Sequence, residues 1–145
     1  MTLRGVAASF LVFISAATIC EASDDPLSTS VCALKEHPEQ FVGKLVSVHG
    51  AIKGPGIDIG PGVYDADCPN MAVALVASKK LKVSGLERIK YTLFLNIYAD
   101  PKDQHYFTGT VTGIFGWQHS TGLATPRFLA IKITDITNLA EIAAH

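Results

Sequence analysis

The pattern of apolar and polar residues changes from a helical to a two-residue period at Lys44. Before that point, Ser30 is placed to cap a short helix over residues 31–35. Pro38 then suits the first position of a helical turn, and Gly43 ends the helical stretch. The sequence therefore predicts a short helical segment that precedes the first long strand.

Strands are predicted wherever apolar residues alternate with polar ones or form a short continuous run. In the first of them, Val46, Val48 and Ile52 fall on one side of the extended chain. The predicted strands cover residues 44–52, 63–65, 71–77, 91–98, 106–117 and 128–133. Residues 135–145 are predicted to form a terminal helical turn.

Glycines within these strands favour a small barrel over a sandwich. Gly50, Gly109 and Gly113 interrupt strand patterns at positions where glycine marks a sharp bend or a bulge. A five-stranded barrel needs such bends, and it takes an insertion between its third and fourth strands, where the polar stretch 79–90 lies. We therefore predict a mainly β domain that forms a five-stranded barrel.

The first residues have the composition of a cleavable secretory signal peptide. Arg4 precedes an uncharged apolar run over residues 5–19, and the small residue Ala22 suits a cleavage point. As a helix, that run would span about 22 Å, which is short of the ~30 Å hydrocarbon core of a membrane. Lipid attachment at Cys20 is an alternative, but the bulky residue Ile19 directly before it argues against this modification. We expect cleavage after Ala22, no stable membrane insertion afterwards, and export to the periplasm or the medium.

Cleavage would leave one small domain of near-neutral charge. Residues 23–30 are polar and are predicted to be loose, and residues 31–145 are predicted to form a single β domain. The segment 1–22 carries one basic and one acidic residue, so the net charge is −1 with or without it. Such a domain has no overall electrostatic attraction for nucleic acid or acidic membranes, and nucleic acid is not an expected partner.

The cysteine count changes with the signal peptide. Of the three cysteines, Cys20 is removed with residues 1–22, which leaves Cys32 and Cys68 in a compartment that permits oxidation. We expect these two to form a disulfide. Two free thiols and a pair of metal ligands are the alternatives that the count leaves open.

A motif around these cysteines resembles a known group of proteins. The matching residues are Cys32-x-Leu34-x3-Pro38-x2-Phe41-x-Gly43-Lys44-x-Val46-x-Val48-x-Gly50, followed by Tyr64-Asp65-x2-Cys68-Pro69. They resemble the opening of uncharacterised small exported bacterial OB-fold proteins. The resemblance implies an OB-like five-stranded barrel with a short N-terminal helix, and it supports the disulfide. That group has no assigned activity, so no catalytic residue is carried over.

Acidic residues and a histidine are the candidates for an exported hydrolase. Asp65 and Asp67 alternate along the chain and would point to the same side of a strand, where His49 could join them. An aspartate beside Cys68 and a proline is also common in turns. The histidines have no metal-ligand spacing, so we predict no metal site. We also predict no cofactor and no catalytic residue.

A basic run is the candidate for anion binding. Lys79, Lys80 and Lys82 lie in the polar insertion, where they would either contact an anion or keep the domain soluble. Tyr64 is the one aromatic residue between Leu45 and Ala77, so the strands that OB folds use for stacking on bases are poorly equipped.

The lone tryptophan is the candidate for a binding surface. Trp117 is in phase with Val111 and Phe115, which predicts that it is partly buried and plugs the barrel end. The alternative is a surface that Trp117 and His119 share with the aromatic residues Tyr98 and Tyr106.

These patterns predict a non-catalytic binding or interaction module outside the cytoplasm, with an unknown protein or small molecule as its ligand. An exported hydrolase with a spatially assembled Asp/His site is one alternative. A structural subunit of an envelope assembly is the other.

Overall fold

The two-residue period of the sequence becomes six strands in the computed structural model, which describes residues 25–54, 61–77, 85–96, 98–100, 103–119 and 127–143. The elements are β1 (Leu27–Thr29), α1 (Val31–Glu36), a 3-10 turn (Pro38–Gln40), β2 (Leu45–Lys53), β3 (Gly62–Tyr64), β4 (Ala72–Ala77), α2 (Leu86–Leu95), β5 (His105–His119) and β6 (Arg127–Ala143). The predicted signal peptide, residues 1–22, lies outside the described residues, as do Lys79, Lys80 and Lys82.

All six strands belong to one mixed sheet. The antiparallel pairs are β2–β3, β3–β4, β5–β6 and β2–β5, and the parallel pairs are β1–β2 and β4–β6. One edge of β2 pairs with β5 along Leu45–Ile52, while its other edge pairs first with β1 and then with β3. The prediction of a mainly β domain is confirmed.

The core lies between the inner faces of the strands and the two helices. Its fully buried members include Val46, Val48 and Ile52 of β2, Phe107, Val111 and Phe115 of β5, Ile131 and Ile133 of β6, and Ile89 of α2. The strand phases predicted for β2 and β5 are therefore those observed. Burial of these apolar side chains is the main favourable term for folding.

The short helix α1 forms where its cap predicts it. The Ala33 N–H donates to the Ser30 side-chain oxygen at 3.1 Å, and Leu34 is fully buried. Cys32 on this helix is bonded to Cys68, with 5.8 Å between their Cα atoms. The predicted disulfide is confirmed, and it joins α1 to the segment that follows β3.

Part of the N-terminal segment that is predicted to be loose forms a strand. Leu27, Ser28 and Thr29 form β1, which pairs in parallel with Val46–Val48 of β2. An edge strand of this length is held by backbone hydrogen bonds and buries little side-chain surface. It can therefore form without apolar alternation in its sequence. The prediction that all of 23–30 is loose is wrong for these residues.

The predicted strand over residues 91–98 is wrong, because most of that segment belongs to α2. Leu86, Ile89 and Leu93 recur at three- and four-residue spacing and are buried together against the sheet. Tyr91 and Thr92 favour strands by propensity, but burial of the helical stripe formed by Leu86, Ile89 and Leu93 outweighs that preference.

The terminal helical turn predicted for 135–145 is also wrong over its described residues. β6 continues to Ala143 and pairs with the first half of β5. Two register shifts interrupt this pairing, at Thr108/Thr110 and at Thr112/Gly113, and Asn138 has a positive φ of 53°. These irregularities break the apolar alternation, so the sequence pattern does not predict the second half of β6.

Candidate interaction surface

The acids and histidine suspected of hydrolysis have structural contacts instead. His49 Nδ1 and Thr110 Oγ1 form a hydrogen bond of 3.2 Å across the β2–β5 pairing. The Asp67 N–H donates to Asp65 Oδ1 at 3.0 Å, which is an Asx turn. The structure does not bring His49 within ligand distance of both aspartates: among the described residues, the group whose donor atoms lie within 4.8 Å of one another is Cys32, Asp65 and Cys68. Its two sulfur atoms are bonded to each other, so this group offers no thiolate.

The residues predicted to share one binding surface lie at two ends of β5. Tyr106 is near the start of the strand and Trp117 near its end, roughly 35 Å apart along the chain at ~3.3 Å per residue. Tyr98 follows α2 and lies at the Tyr106 end, because Asn96 is hydrogen-bonded to His105. His119 stays with Trp117. The four side chains therefore cannot contact one small ligand.

Trp117 does not plug the domain. It is one of the exposed large hydrophobic residues, with 48% of its surface accessible, and the buried core of β5 ends at Phe115. The Arg127 guanidinium carbon lies 5.3 Å from the centroid of its ring, a cation–π contact from the neighbouring strand. Its indole covers the rim of the domain and is half available to solvent.

Tyr106 is occupied by its own neighbours. Its hydroxyl donates to Gln104 Oε1 at 2.8 Å, and Lys53 Nζ lies 4.9 Å from the ring centroid. The ring is half-buried on the outer side of β5. Tyr98 is far more exposed, at 76%.

Tyr98 belongs to a cluster of large apolar residues on the solvent side of α2. Tyr91 is 65% exposed, Phe94 55% and Leu95 46%. These four residues, which we call the aromatic face, lie at i, i+3, i+4 and i+7, the spacing of one side of a helix. The helix therefore carries two apolar stripes, of which one is buried and the other is exposed.

Contacts within the aromatic face order its rings. Phe94 and Tyr98 pack edge to face, with 5.6 Å between ring centroids and an interplanar angle of 69°. The Tyr98 N–H donates to the Leu95 carbonyl at 3.0 Å, which continues the turn beyond the last helical residue. Tyr98 is thereby held beside the helix although it lies three residues after its end.

Polar contacts fasten both ends of α2 to the strands. At the C-terminal end, Asn96 Nδ2 donates to the His105 carbonyl at 2.5 Å, and the His105 N–H donates to Asn96 Oδ1 at 3.0 Å. Toward the N-terminal end, Arg88 forms an ion pair with Glu141, whose other carboxylate oxygen lies 3.1 Å from His105 Nδ1. The exposed rings therefore stand on a helix that is anchored at both ends.

The size of the aromatic face is typical of a binding surface. Large aromatic side chains bury about 150–250 Å² each when covered, so these exposed fractions leave roughly 450 Å² of mainly apolar surface. A contiguous apolar patch of that size on a protein surface is often functional.

No helix in the part of the chain that the structure describes is long and apolar enough to cross a membrane.

Searches of protein-family models, curated proteins and solved structures find no match to this chain.

What the aromatic face can do is therefore inferred from its own residues. It presents ring faces, one branched alkyl group and two phenol hydroxyls, which suits non-covalent burial against a complementary apolar surface. Tyr and Phe are among the residues that anchor interfaces, because a large rigid ring loses little conformational entropy when it is covered.

The sequence pattern does not single out three of the four residues. It predicts a strand over Tyr91, Phe94 and Leu95, where alternate residues would be buried. The helical spacing of Leu86, Ile89 and Leu93 is the signal that identifies α2. Once those three are placed on the buried side, the same period places the aromatic face on the solvent side.

Proposed function

We propose that this chain is an exported, non-catalytic interaction module that binds a partner through the aromatic face of α2. The observation that carries the proposal is an apolar face that is exposed while its helix is held at both ends. A preformed surface binds at a lower cost in conformational entropy than a mobile one. Burial of these rings against a partner would contribute hydrophobic free energy to binding, because they remain exposed to water in the folded chain.

The scaffold that we propose is an OB-like five-stranded barrel. β2, β3, β4, β6 and β5 pair in that order, and β5 pairs again with β2, which supports a ring of five strands. α2 follows the third strand of this ring and precedes the fourth, where an OB-like barrel takes its insertion. β1 and α1 would then be additions at the N-terminal side, fastened by the parallel pairing and by the disulfide.

Export is supported by the state of the cysteines. A bond between Cys32 and Cys68 is typical of an oxidising compartment, because cytosolic thiols are kept reduced. The signal peptide predicted over residues 1–22 would deliver the chain there. An exported hydrolase has weaker support, since His49, Asp65 and Asp67 make separate structural contacts.

Site-specific photo-crosslinking tests the proposed function. A benzophenone amino acid in place of Tyr98 should give covalent adducts in the cells that normally express the full chain, because the ring at this position would be covered by the partner. The matched control carries the same group in place of Ile114, which is 39% exposed on β5. We expect several-fold more adduct from position 98. Equal yields from the two positions, or none from position 98, would contradict the proposal.

A further inference from the structure

The spacing of the aromatic face is the same in both directions along α2. Tyr91 lies three residues before Phe94, and Tyr98 lies three residues after Leu95. The face is thus a near-palindrome of Tyr, Phe, Leu and Tyr about the midpoint between its two central residues. A two-fold symmetric interface pairs the same patch of both copies, so residue i contacts j of the partner copy while j contacts i, and tyrosines at both ends of the face can then meet each other.

We infer that the partner of the aromatic face is a second copy of this chain, packed with its α2 antiparallel to the first; this inference rests on the proposed function. A two-fold axis at the midpoint places Tyr91 of one copy against Tyr98 of the other, and Phe94 against Leu95. Each ring then meets an apolar group of the other copy, and the rings that are most exposed in one copy are covered at the two ends of the contact.

Charged residues at opposite ends of the face favour the antiparallel sense. Lys90 lies at the N-terminal end, and Asp100 is exposed two residues after Tyr98. The two-fold axis brings Lys90 of each copy beside Asp100 of the other, so the two contacts are attractive. Lys90 Nζ also lies 3.0 Å from Glu87 Oε1 within its own helix, an exposed pair that leaves the ammonium group free to contact a second carboxylate. A parallel arrangement would instead place Asp100 near Asp100.

The aromatic face would supply a little over half of the area that a stable dimer interface buries on each partner. A stable interface buries about 800 Å² on each partner, and the aromatic face offers roughly 450 Å² as the apolar centre, by the aromatic areas used above. The polar residues around it would supply the rim. The exposed carboxylates of Asp100 and Asp103 disfavour an anionic membrane surface as the alternative occupant at that end of the face, whereas Glu87 is already paired with Lys90.

Sedimentation of the purified protein tests the inference. We expect a dimer for the natural chain, at least about 100-fold weaker association for the double variant Phe94→Ser/Tyr98→Ser, and unchanged association for the control Ile114→Thr. Both replaced rings are more than half exposed, so the double variant should fold, and an unchanged urea midpoint checks this. A natural chain that is monomeric at every concentration would overturn the inference.

A charge exchange tests the antiparallel geometry. Lys90→Asp and Asp100→Lys should each weaken self-association about tenfold, because each variant turns both attractive contacts into repulsive ones. An equimolar mixture of the two should form a heterodimer of nearly natural affinity, since opposite charges then face each other at both ends. A mixture that associates no better than either variant alone would overturn the geometry.

The crosslinking experiment separates this inference from the proposed function. Adducts between two copies of the chain through position 98 would support both. Adducts with a different protein, or with lipid, together with a monomeric purified protein, would overturn the second-copy inference and leave a binding surface in place. A monomer without any adduct from position 98 would overturn both.

Discussion

Replacement of Gly113 by alanine is expected to destabilise the domain by about 3 kcal/mol. Gly113 lies at a register shift between β5 and β6, opposite Val46 of β2. A Cβ atom there would lie 2.7 Å from Ile131 Cγ2 and nearer still to the Lys132 carbonyl oxygen. That oxygen belongs to the backbone of β6 and cannot withdraw without disturbing the strand. The free energy of unfolding, measured by urea denaturation, should show the loss.

Gly116→Ala is the matched control in the same strand. A Cβ atom at Gly116 would meet its nearest neighbour, the Gly43 nitrogen, at 4.0 Å. We expect its free energy of unfolding to stay within about 0.5 kcal/mol of the natural chain. If the two variants lost equal stability, general strand propensity would explain the result, and the close strand approach at Gly113 would not.

Removal of the disulfide is expected to cost about 2–4 kcal/mol. Cys32 and Cys68 are 36 residues apart in sequence, and the chain-entropy estimate for a loop of that length is about 4 kcal/mol. The double variant Cys32→Ala/Cys68→Ala should therefore unfold at a lower urea concentration, and non-reducing peptide mapping of the natural chain should link the two cysteine peptides.

Reductant supplies the internal control for this prediction. Dithiothreitol should lower the urea midpoint of the natural chain to that of the double variant, while the variant itself should not respond. A natural chain whose midpoint ignores reductant under conditions that break the bond would show that the bond contributes little to stability.

The sheet was largely predictable because its inner face follows a strict alternation. Phe107, Val111 and Phe115 are buried at the predicted phase, and Gly109 and Gly113 coincide with the register shifts. The pattern stops being informative where backbone pairing replaces side-chain burial. β1 and the second half of β6 are such places, since bulges or short edge pairing leave no periodic signal.

The candidate surface was missed because α2 is apolar on two sides. A helix with one apolar stripe shows a clear 3.6-residue period, whereas Leu93, Phe94 and Leu95 together resemble a continuous strand-like run. The aromatic composition reinforces that impression. The exposed stripe that obscures the helical period is also the feature that points to binding, so a conflict of this kind in a sequence is itself informative.

Trp117 shows a related limit of phase arguments. The alternation places Trp117 in phase with Phe115, but it does not show how far along the strand the buried core extends. The core ends at Phe115, and Trp117 lies one inward position beyond it. Its neighbour Arg127 then covers one side of the ring instead of apolar side chains.

Hydroxyl-radical footprinting tests most directly whether the aromatic face is a binding surface. Oxidation rates of Tyr91, Phe94 and Tyr98 would be compared between the protein in its native cellular fraction and the purified protein at high dilution, with Trp117 as the internal reference. We expect several-fold slower oxidation of these three residues in the native fraction and an unchanged rate at Trp117. Equal rates at the three residues in both samples, or protection of Trp117 alone, would contradict it.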